Sequence, residues 1–101
     1  MGSRLEFHEV LCNVLGSRNA YFQPPASVKL QYDCIVYSRN NIENKFANDS
    51  VYAQYNSYEV IVIYKDPDSD IPKKVSMLPM CRFDRHYTAD NLNHDVFTIY
   101  Y

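Results

Sequence analysis

The chain carries only two glycines, Gly2 and Gly16, in 101 residues. Loops that cradle phosphate need clustered glycines to bring backbone N–H groups close to the anion, so that class of nucleotide site is excluded. Cysteine is scarce as well. Cys12, Cys34 and Cys81 are odd in number, far apart and without a Cys-x-x-Cys pair, which fits reduced, buried thiols better than a disulfide framework. No apolar run approaches the roughly 18 residues of a membrane span. Glu6, His8 and Glu9 interrupt the first apolar segment, so no signal peptide is expected either. Met1-Gly2 opens like a myristoylation signal, but Glu6 stands where Ser or Thr is required. Without a secretion signal the sequon Asn48-Asp49-Ser50 carries no weight. The formal charge of −2 gives no basis for counterion-driven nucleic-acid binding.

What is present points to a folded domain. Hydrophobic residues make up 47% against 22% charged, which separates the chain from disordered sequences, and its length suits one domain over residues 1–101. Tryptophan is absent and tyrosine numbers ten. Tyrosine joins an apolar ring to a polar tip, so it suits half-buried strands and subunit contacts.

The last stretch, CRFDRHYTADNLNHDVFTIYY, organises the rest. Cys81, Phe83, Arg85 and Tyr87 alternate with Arg82, Asp84, His86 and Thr88, and a second alternating run covers Val96 to Tyr101. The Asp- and Asn-rich segment Ala89 to Asp95 between them favours a turn, so the stretch predicts a hairpin. Its apolar ending, Ile-Tyr-Tyr, predicts an internal strand.

Upstream, Ser3 to Gly16 reads as a helix. Ser3 and Glu6 have capping-box spacing, Phe7, Leu11, Val14 and Leu15 form one stripe, and Gly16 supplies a left-handed cap. Ser17 to Ala26, with Pro24-Pro25, reads as a connector, with Tyr21-Phe22 packing on the core edge. Val28 to Tyr37 alternates as a strand, placing Val28, Leu30, Tyr32, Cys34 and Val36 on one face. Ile35 and Tyr37 break the polar face there and suggest cover on both sides. Ser38 to Asp49 admits two readings, a loop or the outer reach of a long hairpin. Ser50 to Lys65 is a strand with Tyr52, Tyr58, Val60, Val62 and Tyr64 on one face. Asp66 to Asp70 is a turn feeding a short helix, capped by Ser69 or Asp70 and ended by Pro79, with Ile71, Val75 and Leu78 on one face. The order α-β-β-α-β-β predicts a small two-layer α+β domain: a mainly antiparallel four-stranded sheet with two helices packed on one face.

Candidate chemistry is thin. Asp66, Asp68 and Asp70 imitate the start of a calcium loop, but Ile71 replaces its glycine and Met77 its bidentate glutamate; helix capping accounts for them. Cys81 and His86 fall on opposite faces of a regular strand, so with Asp84 they cannot form a thiol–imidazole–carboxylate group without a bulge. His8, His86 and His94 lack metal-ligand spacing. No cofactor or metal is expected. Arg82, Asp84, Arg85 and His86 put both charge signs on one strand. They are either a solvated edge that discourages aggregation or an interface that fixes register between subunits. The residues alone thus favour a binding or assembly module over an enzyme.

The helix ending in LGSRNAYFQPP, the strand YDCIVY, the turn-helix YKDPDSDIP and above all CRFDRHYTADNLNHDVFTIYY together resemble small tail-completion (tail-terminator) proteins of tailed bacteriophages and prophages, of the siphophage type. The resemblance spans roughly residues 5 to 101. Asp33 departs from it, standing where Pro is expected. The resemblance implies a structural role in the virion, at the head-proximal end of the tail, with the host cytoplasm as the place of assembly. It implies a ring of identical subunits, usually six, that caps the tail tube, stops its polymerisation and presents a surface to neck or connector proteins. It implies further that DNA passes through the channel without specific binding and that no membrane is involved. Candidate interface residues on that reading are Asn41, Ile42, Lys45 and Phe46 in the polar segment, Arg82, Asp84, Arg85 and His86 on the charged strand, and Asp90, Asn91 and Asn93 in the turn. A head–tail connector or neck protein of the same assembly, with twelve-fold symmetry, is the alternative, and a small metal-dependent enzyme a more distant one.

Overall fold

A computed structural model describes residues 3–47 and 50–101, and the side chains of residues 41–55 lie outside that description. Helix α1 spans Arg4–Leu15. The Ser3 hydroxyl accepts the Glu6 N–H at 3.2 Å, and Gly16 closes the helix at φ 80° with its N–H on the Cys12 carbonyl. A left-handed cap at that φ favours glycine.

Five strands follow: β1 Ala20–Phe22, β2 Cys34–Ala47, β3 Ser50–Tyr64, β4 Cys81–Ala89 and β5 Leu92–Tyr100. Helix α2, Ile71–Ser76, lies between β3 and β4. The sheet order is β1-β2-β3-β5-β4, and β1 runs parallel to β2 while every other pairing is antiparallel. The fold is therefore α+β with a five-stranded mixed sheet, not the expected four antiparallel strands. The extra strand is Ala20–Phe22, which pairs with Ile35–Tyr37 inside what reads as a connector. β5 is internal, between β3 and β4, as its apolar composition predicts.

The core forms where one sheet face meets the helices. Phe7 and Leu11 of α1 and Val75 of α2 join Ile35, Tyr37, Tyr58, Val60, Val62, Phe97 and Ile99 in a single cluster. Phe7 stacks on Tyr58 at 4.7 Å, meets Tyr37 edge-on at 5.6 Å and lies 5.0 Å from the Tyr101 ring. Burying a phenylalanine contributes about 1.5–3 kcal/mol, and aromatic pairs add to that.

One expectation about strands needs correction. Strand β2 begins at Cys34, so Val28 to Tyr32 is not strand, and Val28 and Tyr32 are exposed. Its residues in the helix-side core are Ile35 and Tyr37. Cys34 is buried nonetheless, on the other face. Asp33 organises this entry: its Oδ1 accepts the Lys65 N–H at 3.0 Å, and its carbonyl accepts from Asn19 Nδ2 at 3.4 Å. The start of β2 is thereby tied to the end of β3.

Helix α2 starts after Asp70, with Pro72 in its first turn, but Asp70 makes no side-chain cap. Ser69 Oγ instead accepts the Ile71 N–H at 3.3 Å. The helix ends at Ser76, so Leu78 lies just beyond it and packs on the core from there.

Candidate functional site

Strands β2 and β3 are much longer than the sheet they belong to. β3 pairs with β5 only over Ser57–Tyr64, whereas β2 and β3 stay paired from Cys34↔Ile63 to Ala47↔Ser50. Beyond Asn41↔Ser57 the two strands pair only with each other among the described residues, and at the root of the arm the Asn56 carbonyl also accepts the Tyr101 N–H at 2.9 Å. This arm extends for roughly 20–25 Å at about 3.4 Å per residue and gives the molecule extents of 51 × 27 × 22 Å. The segment Ser38 to Asp49 is thus the outer reach of a long hairpin up to Ala47, with Asn48 and Asp49 outside the described residues. A register shift between Arg39 and Asn41 marks where the arm leaves the body. Asn41, Ile42, Lys45 and Phe46 sit on it, opposite Ser57, Asn56, Ala53 and Val51; the side chains of these four, and of Tyr52, lie outside the described residues.

Arg82, Asp84, Arg85 and His86 are on β4, an edge strand exposed along nearly its whole length. They do not form one alternating set. The register slips between Phe83 and Arg85, so two β4 residues oppose one of β5, and a slip of one residue exchanges faces. Arg82 pairs with Thr98 and Arg85 with Val96 on the helix-free face, whereas His86 pairs with Asp95 on the helix face. The bulge that would be required to bring Cys81 and His86 to one face therefore exists. They still do not meet, because their β5 partners, Ile99 and Asp95, are four residues apart.

Two polar groups hold this edge. On the helix-free face, Thr98 Oγ1 donates to Asp84 Oδ2 at 2.5 Å and Arg82 Nε donates to Asp84 Oδ1 at 3.0 Å. Partial burial alone would raise the Asp84 carboxyl; the Thr98 and Arg82 bonds outweigh it and, with the field of Arg85, hold it below its ordinary value. On the helix face, Asp95 is buried and shares its Oδ1 with His86 Nδ1, while its Oδ2 accepts the Tyr64 hydroxyl at 3.0 Å. Burial, followed by the bond to Asp95, pushes the Tyr64 phenol up to about 12. Beside these groups, Tyr87 stacks on His94 with centroids 4.6 Å apart, and the Arg85 guanidinium lies 5.8 Å from the Tyr87 ring.

The β4–β5 turn is shorter than the sequence suggests. Only Asp90 and Asn91 form it, at φ 53° and 62°, the two positive values of a type I′ hairpin that Asn and Asp tolerate. Asn93 belongs to β5, where its Nδ2 donates to the Tyr64 and Lys65 carbonyls at 3.4 and 3.5 Å. Asp90 and Asn91 lie at the end of the sheet away from the arm, since Tyr64 pairs with Asn93. The eleven candidate residues thus divide among the arm, the charged edge, the far turn and, for Asn93, strand β5. Tyr64, Asp95, Thr98 and the Tyr87–His94 stack were not among them, although they fix the edge strand in place. Comparison with protein-family models and with curated proteins finds no match to this chain.

Proposed function

We propose that this chain is a structural assembly protein that closes into a ring, of about six copies, and caps the head-proximal end of a phage tail tube. In this role it ends tube polymerisation and offers the surface on which neck or connector proteins join head to tail. It acts in the virion after assembly in the host cytoplasm, lets DNA pass without specific binding, and performs no catalysis.

The observation that carries this reading is the two-stranded arm on a small α+β body. An isolated two-stranded hairpin is marginal in water, so an arm of this length is suited to gain its order by lying on something else. A tail tube or a neighbouring subunit is the natural support for it. The exposed edge strand β4, mixed in charge and carrying Phe83 and Tyr87 at 53% and 37% exposure, supplies a second surface, and a closed ring needs two different patches per subunit.

The test has two parts. Light scattering across a concentration series, with negative-stain images, should show a closed ring of about six subunits; a twelve-subunit ring would favour the connector reading. A protein that stays monomeric, and that added tail tubes do not draw onto their ends, overturns the proposal. Second, rejoining Asn41 to Ser57 through an Asn-Gly turn removes the arm while preserving the pairing below it. The shortened protein should fold yet fail to complete tails. Normal virion assembly by it would remove the arm from the mechanism.

A further inference from the structure

Charge is unevenly shared over the described surface. On β4, Asp84 is occupied by Arg82 and Thr98. Arg85, one residue on, makes no ion pair among the described residues and rests its guanidinium beside the Tyr87 ring. With His94 stacked behind Tyr87, the helix-free side of the edge presents a cation with no ion pair among the described residues, set on an aromatic shelf. At the end of β3 the balance reverses. The turn from Asp66 to Asp70 sets three carboxylates within five exposed or half-exposed residues. Asp66 is used internally, its Oδ1 accepting the Asp68 N–H at 2.9 Å and its carbonyl the Ser69 N–H at 3.0 Å. Asp70 pairs with Lys74 at 3.4 Å. The Asp68 carboxylate has no partner among the described residues, and the turn around it is already hydrogen-bonded into shape.

We infer that the Asp66–Asp70 turn of one copy docks on the Arg85–Tyr87–His94 shelf of the next copy. This contact rests on the ring reading and assigns its two unlike patches. Opposite charges on one chain make a second copy the complementary partner, and such complementarity fixes register more than it adds raw affinity. Both patches lie toward the end of the sheet away from the arm: the turn follows Tyr64, and the shelf is level with Ile63, which pairs with His94. A contact between two unlike patches is heterologous, and such contacts form a ring when the rotation they impose closes. Pairing of β4 edges does not compete, because charged side chains and the bulge between Phe83 and Arg85 discourage strand addition.

The experiment is a charge exchange on the full-length protein, read by sedimentation velocity over a concentration series. Arg85→Glu and Asp68→Arg should each weaken self-association by about tenfold or more, and the double variant should recover most of it. Wild-type association should also weaken as salt rises through the screening range. Both side chains are at the surface, and circular dichroism checks each fold; Arg85→Gln and Asp68→Asn serve if a reversed charge disturbs it. Association that persists unchanged in both single variants overturns this contact and leaves the ring reading standing. A wild-type chain that neither self-associates nor binds tail tubes overturns the ring reading and this contact together.

Discussion

Asp95 on the internal strand β5 and His86 on the edge strand β4 stand directly opposite each other, joined through Oδ1 and Nδ1. The carboxylate is the hidden member of the pair: the Asp95 side chain is 10% exposed and that of His86 45%. A buried carboxylate is costly unless its lone pairs are met. Tyr64, reaching diagonally from β3, meets the second oxygen. Three adjacent strands are thereby linked through one side chain, and the edge that the ring would use is fixed to the core.

This linkage predicts a contrast between two tyrosines. Tyr64→Phe leaves one oxygen of Asp95 without its donor and should lower stability by about 1–3 kcal/mol. Tyr58 is also buried, but its hydroxyl has no partner among the described residues. Tyr58→Phe should therefore be neutral or stabilising, since it removes an unmet polar group. Urea midpoints of the two variants decide; equal losses in both would sink the assignment.

The same bond predicts an alkaline signature. The Tyr64 phenol is pushed up to about 12 from an ordinary 10.0, because folding favours its neutral form. The stability this contributes is fully present below about pH 10 and is lost as pH rises through about 12. Absorbance titration of the tyrosines should show a late step that Tyr64→Phe removes. An unaltered late step in that variant would assign it to another residue.

At the acid end the sign reverses. Asp84 is held below its ordinary 3.8 by Thr98 and Arg82 against the opposing effect of burial. Its contribution is present above that value and disappears as pH falls through the lower folded one. Asp84→Asn should therefore be less stable than wild type near neutral pH, with the gap closing under strongly acid conditions. A gap of constant size across that range would mean that ionisation of Asp84 plays no part.

Much of the fold was legible because local signals agreed with each other. Ser3, Glu6 and Gly16 mark both ends of α1, and the final hairpin shows its two strands and its turn. Strand β1 was not legible: three residues before Gln23 and Pro24-Pro25 give too short a pattern, and only pairing with Ile35–Tyr37 makes them a strand. Cover on both sides of β2 was legible from Ile35 and Tyr37 beside Cys34, and Cys34 and Ile35 are indeed both buried, from opposite sides; where both faces are apolar, alternation does not say which meets the helices. The candidate edge was found by its charges, but its faces were not. A bulge between Phe83 and Arg85 leaves no mark in composition, yet it moves His86 to the helix side. Asp95 was hidden among turn-forming neighbours, since DNLNHD reads as one turn although Asp90 and Asn91 suffice.

Thiol chemistry gives an independent check on burial. Cys34 is fully buried, and burial pushes its thiol up to about 11; Cys12 is buried as well. Cys81, half-buried at the start of β4, is also raised, by burial first and then by Asp84. Because the thiolate is the reactive form, the native protein should react slowly with a disulfide reagent near neutral pH, with Cys81 first. The other two should react only as the protein unfolds. Rapid reaction of Cys34 in the native protein would contradict its burial on the helix-free face of the sheet.

The last prediction concerns the anchor of α1. Phe7 touches rings from β2, β3 and the C-terminal Tyr101, so it joins the helix to both halves of the sheet at once. Phe7→Ala removes those contacts and leaves a cavity that three rigid rings cannot easily fill, at a cost of about 3–5 kcal/mol. Phe7→Leu keeps most of the volume and should cost less. For a small domain that is a large fraction of the total stability, so the alanine variant should be unfolded or nearly so at physiological temperature. If the proposed ring buries enough surface to support its subunits, raising protein concentration should restore folding of the leucine variant before that of the alanine variant. A thermal midpoint independent of concentration in both would show that each subunit stands on its own core.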